Sequence, residues 1–165
     1  MLSRKAPKKN SQENRDQNYN ATAYVMRCYR KILGRDADVS GLNTWTGKLL
    51  GGNGGAEIVK DLVMSQEFSN MRKSDGEFVD ILYAAMLDRN SDEIGKNTWL
   101  ADLNDGVSYV YIINGFAGST EFGNICSSYG ITPGQAQITE ARDKNIKVTQ
   151  YVNRCYEKAL GRTGE

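Results

Sequence analysis

Apolar residues recur along this chain at helical spacing. Tyr24, Val25, Cys28, Tyr29, Ile32 and Leu33 fall at i, i+1, i+4, i+5, i+8 and i+9, one face of an α-helix. Gly34 follows where a left-handed C-cap residue would stop it. A polar turn, Arg35-Asp36-Ala37-Asp38, leads to a second helix from about Ser40 with Leu42, Trp45 and Leu49 on its apolar face, and Gly51-Gly52 breaks it. A third helix carries Ile58, Val59, Leu62 and Val63. Ser65 then stands where an N-cap would start a short fourth helix holding Phe68. No segment longer than a few residues alternates with period two, so no strand is predicted.

The pattern then repeats. Residues 24–68 and 78–122 align without a gap at an offset of 54. Tyr29, Leu33, Arg35, Asp38, Gly41 and Trp45 recur as Tyr83, Leu87, Arg89, Asp92, Gly95 and Trp99. Ser65-x-Glu67-Phe68 recurs as Ser119-x-Glu121-Phe122. In the second copy the opening helix is preceded by Ser74-x-x-Glu77, the spacing of a capping box. Its second helix carries Ile94, Trp99, Leu100 and Leu103, and its third Ile112, Ile113, Phe116 and Ala117. A third, truncated copy opens at Tyr151, with Thr149 expected to cap its helix. The predicted fold is all-α: tandem helical repeats of about four helices each, plus the first helix of a third. The expected organisation is a disordered tail or linker over 1–19, repeat one over 20–73 and repeat two over 74–130. A connecting segment with room for one short helical turn fills 131–148, and the third copy starts at 149. Repeats of this kind bury their apolar faces by stacking on one another.

Composition narrows the function. At 165 residues a chain can bury roughly 70% of its unfolded surface. The 21 basic and 20 acidic residues balance, whereas a nucleic-acid-binding domain is strongly basic, so no nucleic-acid partner is expected. Arg4, Lys5, Lys8 and Lys9 form the one basic cluster. No apolar stretch follows it as in a secretory signal, and no run approaches the ~18 apolar residues of a membrane span. Histidine is absent, which removes the commonest general base near neutral pH and the commonest zinc ligand. Cys28 and Cys155 share a repeat position that holds Leu82 in the second copy, so they and Cys126 are expected to be buried free thiols. An odd cysteine count without a Cys-x-x-Cys pair points away from a disulfide framework or a metal knuckle.

The string Leu33-Gly34-Arg35-x-x-Asp38-x-x-Gly41-x-Asn43-x-Trp45, with a glycine-rich break and Ser-x-Glu-Phe after it, resembles the bacterial domain of unknown function 4214. Gly106-Val107-Ser108 and Gly115-Phe116 are similar to that family's second half. The chain departs from the pattern at Asp88, where a glycine is usual, and in the glycine-rich tract Gly51–Gly55. The resemblance implies a helical module, often in tandem and often in secreted or surface-attached bacterial proteins, distantly like the linker domains of phycobilisomes. It implies no catalytic residue.

Each candidate site carries an ordinary structural reading beside the functional one. Asp36-x-Asp38-x-Ser40-Gly41 resembles the start of a calcium loop. Its twelfth position is Gly47, which offers no carboxylate; Asp36, Asp38 and Ser40 are therefore a weak calcium candidate, and capping of helix two by Asp38 and Asp92 is the alternative. Trp45 and Trp99 could stack on a sugar but sit at core spacing. Tyr109 and Tyr111 replace Gly55 and Glu57 of the first copy, so the fold does not demand aromatics there, and at least one is expected to be an exposed partner contact. Carboxylates such as Asp36, Asp38, Asp92 and Glu93 lie in polar turns unsuited to acid–base pairing. Gly51–Gly55 lacks the lysine and serine of a phosphate loop and reads as a flexible turn. No catalytic residue, cofactor or metal is expected, and the chain is not read as an enzyme. The expected function is a protein-interaction or spacer scaffold at a bacterial surface or in a secreted protein. Its partner would be another protein, another repeat of the parent chain or a second copy. The alternatives are a cell-wall or host glycan-binding module and an accessory domain of a larger secreted hydrolase. The stripe from Tyr151 to Leu160 should pack on repeat two near Tyr109 or Tyr111, or on another copy.

Overall fold

The computed structural model describes residues 12–161. Among them are ten α-helices and no strand. After the short α1 (Asn14–Gln17), repeat one is α2 (Tyr19–Cys28), α3 (Val39–Leu50), α4 (Gly55–Val63) and α5 (Gln66–Asn70). Repeat two is α6 (Asp75–Leu87), α7 (Glu93–Asn104), α8 (Tyr109–Ala117) and α9 (Thr120–Ser128). The last helix is α10 (Ile146–Leu160). Four helices per repeat are thus present in both copies, in the same order.

Polar side chains set the helix starts. Asp38 and Asp92 accept from the amides of Gly41 and Gly95 at 2.6 and 2.7 Å. Ser65 and Ser119 accept from Phe68 and Phe122, each at 3.2 Å. Ser74 and Glu77 complete the capping box, bonding each other's backbone at 3.2 and 2.9 Å. The opening helix of repeat one winds into a π turn over Tyr29–Leu33 and stops at Gly34 with φ 69°. The opening helix of repeat two, α6, stops at Asp88, also left-handed at φ 55°. A short acidic residue tolerates that conformation better than most, and here the carboxylate gains partners: Arg27 at 3.3 Å and Lys31 at 3.6 Å, both from repeat one. The missing glycine is therefore an inter-repeat ion-pair site.

Like packs on like between the repeats. The end of α2 and its π turn lie on α6, and α4 lies on α8. One continuous hydrophobic core results, with Val25, Ile58, Val59, Phe78, Leu82 and Ile112 buried within it. The copies differ by compensating exchanges. Tyr24 reaches Gly55 and donates to its carbonyl at 2.9 Å. At the matching places Phe78 lacks the hydroxyl, and Tyr109 stacks on its ring at 3.7 Å.

Several expectations change in detail. Residues 12–19 are not a loose tail: Asn14 donates to the Asn43 carbonyl at 3.2 Å and the Arg15 amide to the Asn43 side chain at 3.2 Å, seating α1 on α3. The expectation for 1–11 lies outside the described residues. Gly51–Gly55 is not a flexible turn throughout. The connecting segment crosses Gly54 and caps α4, whose Gly55 and Ala56 amides donate to the Thr132 and Pro133 carbonyls at 2.8 and 2.9 Å. A side chain at Gly54 would collide with the Pro133 carbonyl. The segment is also tied to α8 by Ala136 and Asn114, which exchange two hydrogen bonds of 2.7 and 2.9 Å. The short turn expected there is Ala141–Asp143. Asn145, not Thr149, caps α10. Ile94 is exposed, because α7 begins at Glu93 and its first turn lies beyond the core.

Glycine substitutions separate packing from backbone propensity. Alanine normally stabilises a helix interior by roughly 0.5–1 kcal/mol over glycine. Gly123→Ala in α9 meets nothing within 4 Å and should gain about that much. Gly41→Ala in α3 would drive a methyl into the hydroxyl and ring of buried Tyr29 and should instead cost about 1–3 kcal/mol. Urea unfolding of the two variants checks the opposite signs.

Candidate functional site

The motif residues converge on one tyrosine in each repeat. Tyr29 is buried beneath the turn after the first helix. Its hydroxyl accepts from the Trp45 indole N–H at 2.9 Å. That hydroxyl lies against Gly41, whose missing Cβ makes room for it. The Arg35 guanidinium covers the ring at 5.2 Å from the centroid and forks onto Glu67 of α5 with bonds of 2.6 and 2.7 Å. Arg35 also donates to the Asp36 carbonyl at 2.9 Å, which fixes the turn.

Repeat two builds the same clamp. Arg89 lies over Tyr83 at 5.0 Å and forks onto Glu121 at 2.7 and 3.1 Å. Gly95 leaves space for the Tyr83 hydroxyl, and the Trp99 indole lies beside that hydroxyl. The arginine, the glycine, the tryptophan and the glutamate of the shared string are therefore one interlocking contact. A planar, five-donor guanidinium suits both halves of it, stacking on a ring and gripping a carboxylate with two parallel bonds.

The tryptophans occupy matching places, but both are half-buried rather than enclosed. Their outer faces are covered differently. Lys48 sits 4.7 Å above Trp45 and is held by Asp61 at 2.9 Å. Trp99 instead tilts against Phe116 at 5.2 Å, over Gly115.

The calcium candidates are turned to other partners. Asp36 accepts from Arg30 at 2.6 Å. Asp38 caps α3 and stands 3.9 Å from Arg35. Ser40 is exposed in the first turn of α3. Among the described residues no group of three or more His, Cys, Asp or Glu could hold a metal ion. Neither Tyr109 nor Tyr111 is exposed; both are half-buried against the core. Tyr109 also donates to Asp75 at 2.7 Å, so its ring and hydroxyl are spent inside the repeat. Burial and the Asp75 carboxylate raise the Tyr109 pKa.

Cys28 and Cys126 are buried, and burial pushes each thiol up to about 12, which leaves them unreactive near neutral pH. Cys155 is exposed, against expectation. The cause is the orientation of α10. It docks through its polar side: Gln150 donates to Asp105 at 2.9 Å and the buried Asn153 to the Asn104 carbonyl at 3.4 Å. Just before it, buried Asp143 accepts from the amide and hydroxyl of Ser108 at 2.7 and 2.5 Å. The helix thus lies on repeat two, but its apolar stripe faces outward instead of packing near Tyr109 or Tyr111 as expected. No periodicity argument singled out Gln150 or Asn153, because polar residues on an apolar-striped helix read as its solvent face, nor Asp143, which lies in the aperiodic segment before it.

The fold and this clamp define an all-α protein built of paired helical repeats, and the chain belongs to the family described as Domain of unknown function (DUF4214), whose model matches residues 8–72 and again 59–126. The two matches overlap over the stretch that holds α5, which closes one and opens the other. No curated protein and no solved structure matches the chain.

The rim of the clamp is an exposed ion pair, and the sign of its pH dependence follows. Hydrogen bonds from Arg35 and Arg89 hold Glu67 and Glu121 below the usual carboxylate range, and Arg30 does the same for Asp36. A lowered folded pKa gives stability that is complete above the unfolded value, about 4.3 for glutamate, and lost as pH falls through the folded value. With no histidine in the chain, the thermal midpoint should be flat between about pH 5.5 and pH 8 and fall below about pH 4.5. Glu67→Gln should flatten part of the acid limb. A double-mutant cycle of Arg35→Ala with Glu67→Ala should show coupling of about 1 kcal/mol, the upper end for solvent-screened pairs, because the grip is bidentate.

Proposed function

We propose that this chain is a non-catalytic helical repeat module that serves as a protein-interaction or spacer scaffold, in a bacterial surface or secreted protein. One observation carries the reading: the side chains that define the repeat are turned onto one another in both copies. Arg35, Glu67, Gly41 and Trp45 close repeat one, and their counterparts close repeat two. A motif whose polar groups are consumed in closing a fold specifies shape, and shape is what a spacer supplies. The shared core makes the pair a stiff body rather than two beads. No described helix is long and apolar enough to cross a membrane. The surface or secreted setting rests on the family resemblance.

A glycan-binding module would need free aromatic faces, and the indoles of Trp45 and Trp99 are covered by Lys48 and by Phe116. The scaffold reading predicts that muropeptides and chitooligosaccharides leave the amide spectrum unchanged at millimolar concentration. Saturable shifts around Trp45 or Trp99 would replace it with the glycan-binding alternative. Donor and acceptor dyes placed at positions 12 and 161 should give a single narrow transfer-efficiency distribution. A broad one would contradict a stiff spacer.

A further inference from the structure

The segment that begins at Glu140 reproduces the start of repeat one at an offset of 127 (Glu140 against Glu13), further upstream than the match at Tyr151. The correspondence extends to geometry. Glu13 pairs with Arg15 at 2.6 Å, and Glu140 with Arg142 at 2.6 Å. Asn18 caps α2 with φ −148° and ψ 104°; Asn145 caps α10 with φ −151° and ψ 99°. Thr22 donates back to the Arg15 carbonyl at 2.7 Å, and Thr149 to the Arg142 carbonyl at 2.6 Å. Two units of one kind therefore open in the same way, 127 residues apart.

They differ in what covers them. Tyr24, Val25 and Leu33 are 1%, 0% and 8% exposed under α3, α4 and α6, whereas Tyr151, Val152 and Leu160 are 63%, 46% and 57% exposed. Five apolar residues of α10 keep the identity of their buried counterparts: Tyr151, Val152, Cys155, Tyr156 and Leu160. A groove lined by Val148, Val152, Asn153, Tyr156, Asp105 and Gly106 lies where the edge of this face meets repeat two. In repeat one the matching face of α2 is covered by α3, where Thr46 meets Thr22 at 3.3 Å and Trp45 meets Tyr29.

The charges specify the cover as closely as the apolar residues do. Arg27 donates to the Ala84 and Ala85 carbonyls at the end of α6 at 3.3 and 3.0 Å, and Lys31 lies 3.6 Å from Asp88. A cation at a helix C-terminus is favourable, and these two reach from one repeat to the next. Their counterparts, Arg154 and Lys158, are exposed and make no ion pair among the described residues. Apolar burial alone would not require them. They match a partner that presents the end of an α6-type helix beside α3- and α4-type helices.

We infer that the outward face of α10 is a docking site for a repeat pair of this same chemistry, one that carries the tryptophan helix and the acidic helix end. The segment from Glu140 to Leu160 is then shared: it caps one pair through Asp143, Gln150 and Asn153 and opens the next through its stripe. Units so joined stack end to end. This goes beyond the spacer reading, which stands for the first two repeats whether or not the joint forms.

Cys155 reports the joint, because it lies in the middle of the stripe and is the one exposed thiol among the described residues. A chain is made in which residues 1–162 are followed directly by residues 36–165, with the second Cys155 changed to Ser. Position 162 matches position 35, so the register is preserved. In the original chain Cys155 should react rapidly with a maleimide while Cys28 and Cys126 do not. In the joined chain Cys155 should become as slow as Cys28, and labelling should be lost on the timescale that modifies the original. A control join with two extra residues should leave it reactive. Undiminished labelling in the joined chain overturns the proposal, as does a second block that stays unfolded by circular dichroism. Protection in both joins overturns it by showing unspecific cover. Protection in the original chain with a doubled mass in solution overturns it in favour of self-association. None of these outcomes bears on the sugar titration or the dye distances that test the spacer reading.

Discussion

Each repeat depends on a guanidinium laid over a tyrosine and locked to a glutamate 32 residues along the chain. Short helices are marginal on their own. The tyrosine belongs to the first helix, the arginine to the turn, the tryptophan and glycine to the second helix and the glutamate to the fourth. One contact therefore holds three of the four helices. The third helix is buried from the other side, where α4 and α8 meet in the common core. The exposed rim of the clamp contributes little as a charge pair in water; its weight is geometric, because the fork orients an arginine whose flat face seals the tyrosine.

The sequence disclosed the repeat and its helices because period 3.6 and period 54 are both carried by local residue types. Tyr29 and Tyr83 announced themselves as core, and Asp38 and Asp92 as caps. The link from Arg35 to Glu67 was not legible, since nothing in spacing says which arginine meets which glutamate. The same holds for Tyr109. Its difference from Gly55 was visible, yet the reason was the partner exchange with Phe78 and Tyr24, which is a property of packed volume rather than pattern. The α10 helix misled for a related reason. An apolar stripe names the face that is buried when the repeat is complete, whereas the docking of α10 on repeat two uses Asp143, Gln150 and Asn153.

Three sequence differences between the two copies are structural adjustments. Asp88 gives up a glycine to hold Arg27 and Lys31 of the other repeat. Lys48 and Asp61, which cover Trp45, become Asp102 and Gly115, and Phe116 takes over the cover of Trp99. Burial and the neighbouring Asp105 raise the Asp102 pKa. Each exchange keeps the clamp while fitting the repeat to its own neighbour, as expected where stability is a sum of internal and interface contributions.

If the shared motif closes the repeat rather than binding a ligand, Arg35→Ala should loosen helices far apart in sequence, and native-state hydrogen exchange reads this. Amides at the start of α3 and in α5 should exchange faster together, since the clamp joins them, while α7 and α9 of repeat two keep their protection. Unchanged exchange in α3 and α5 would contradict that closure and return Arg35 and Glu67 to the surface as free recognition groups.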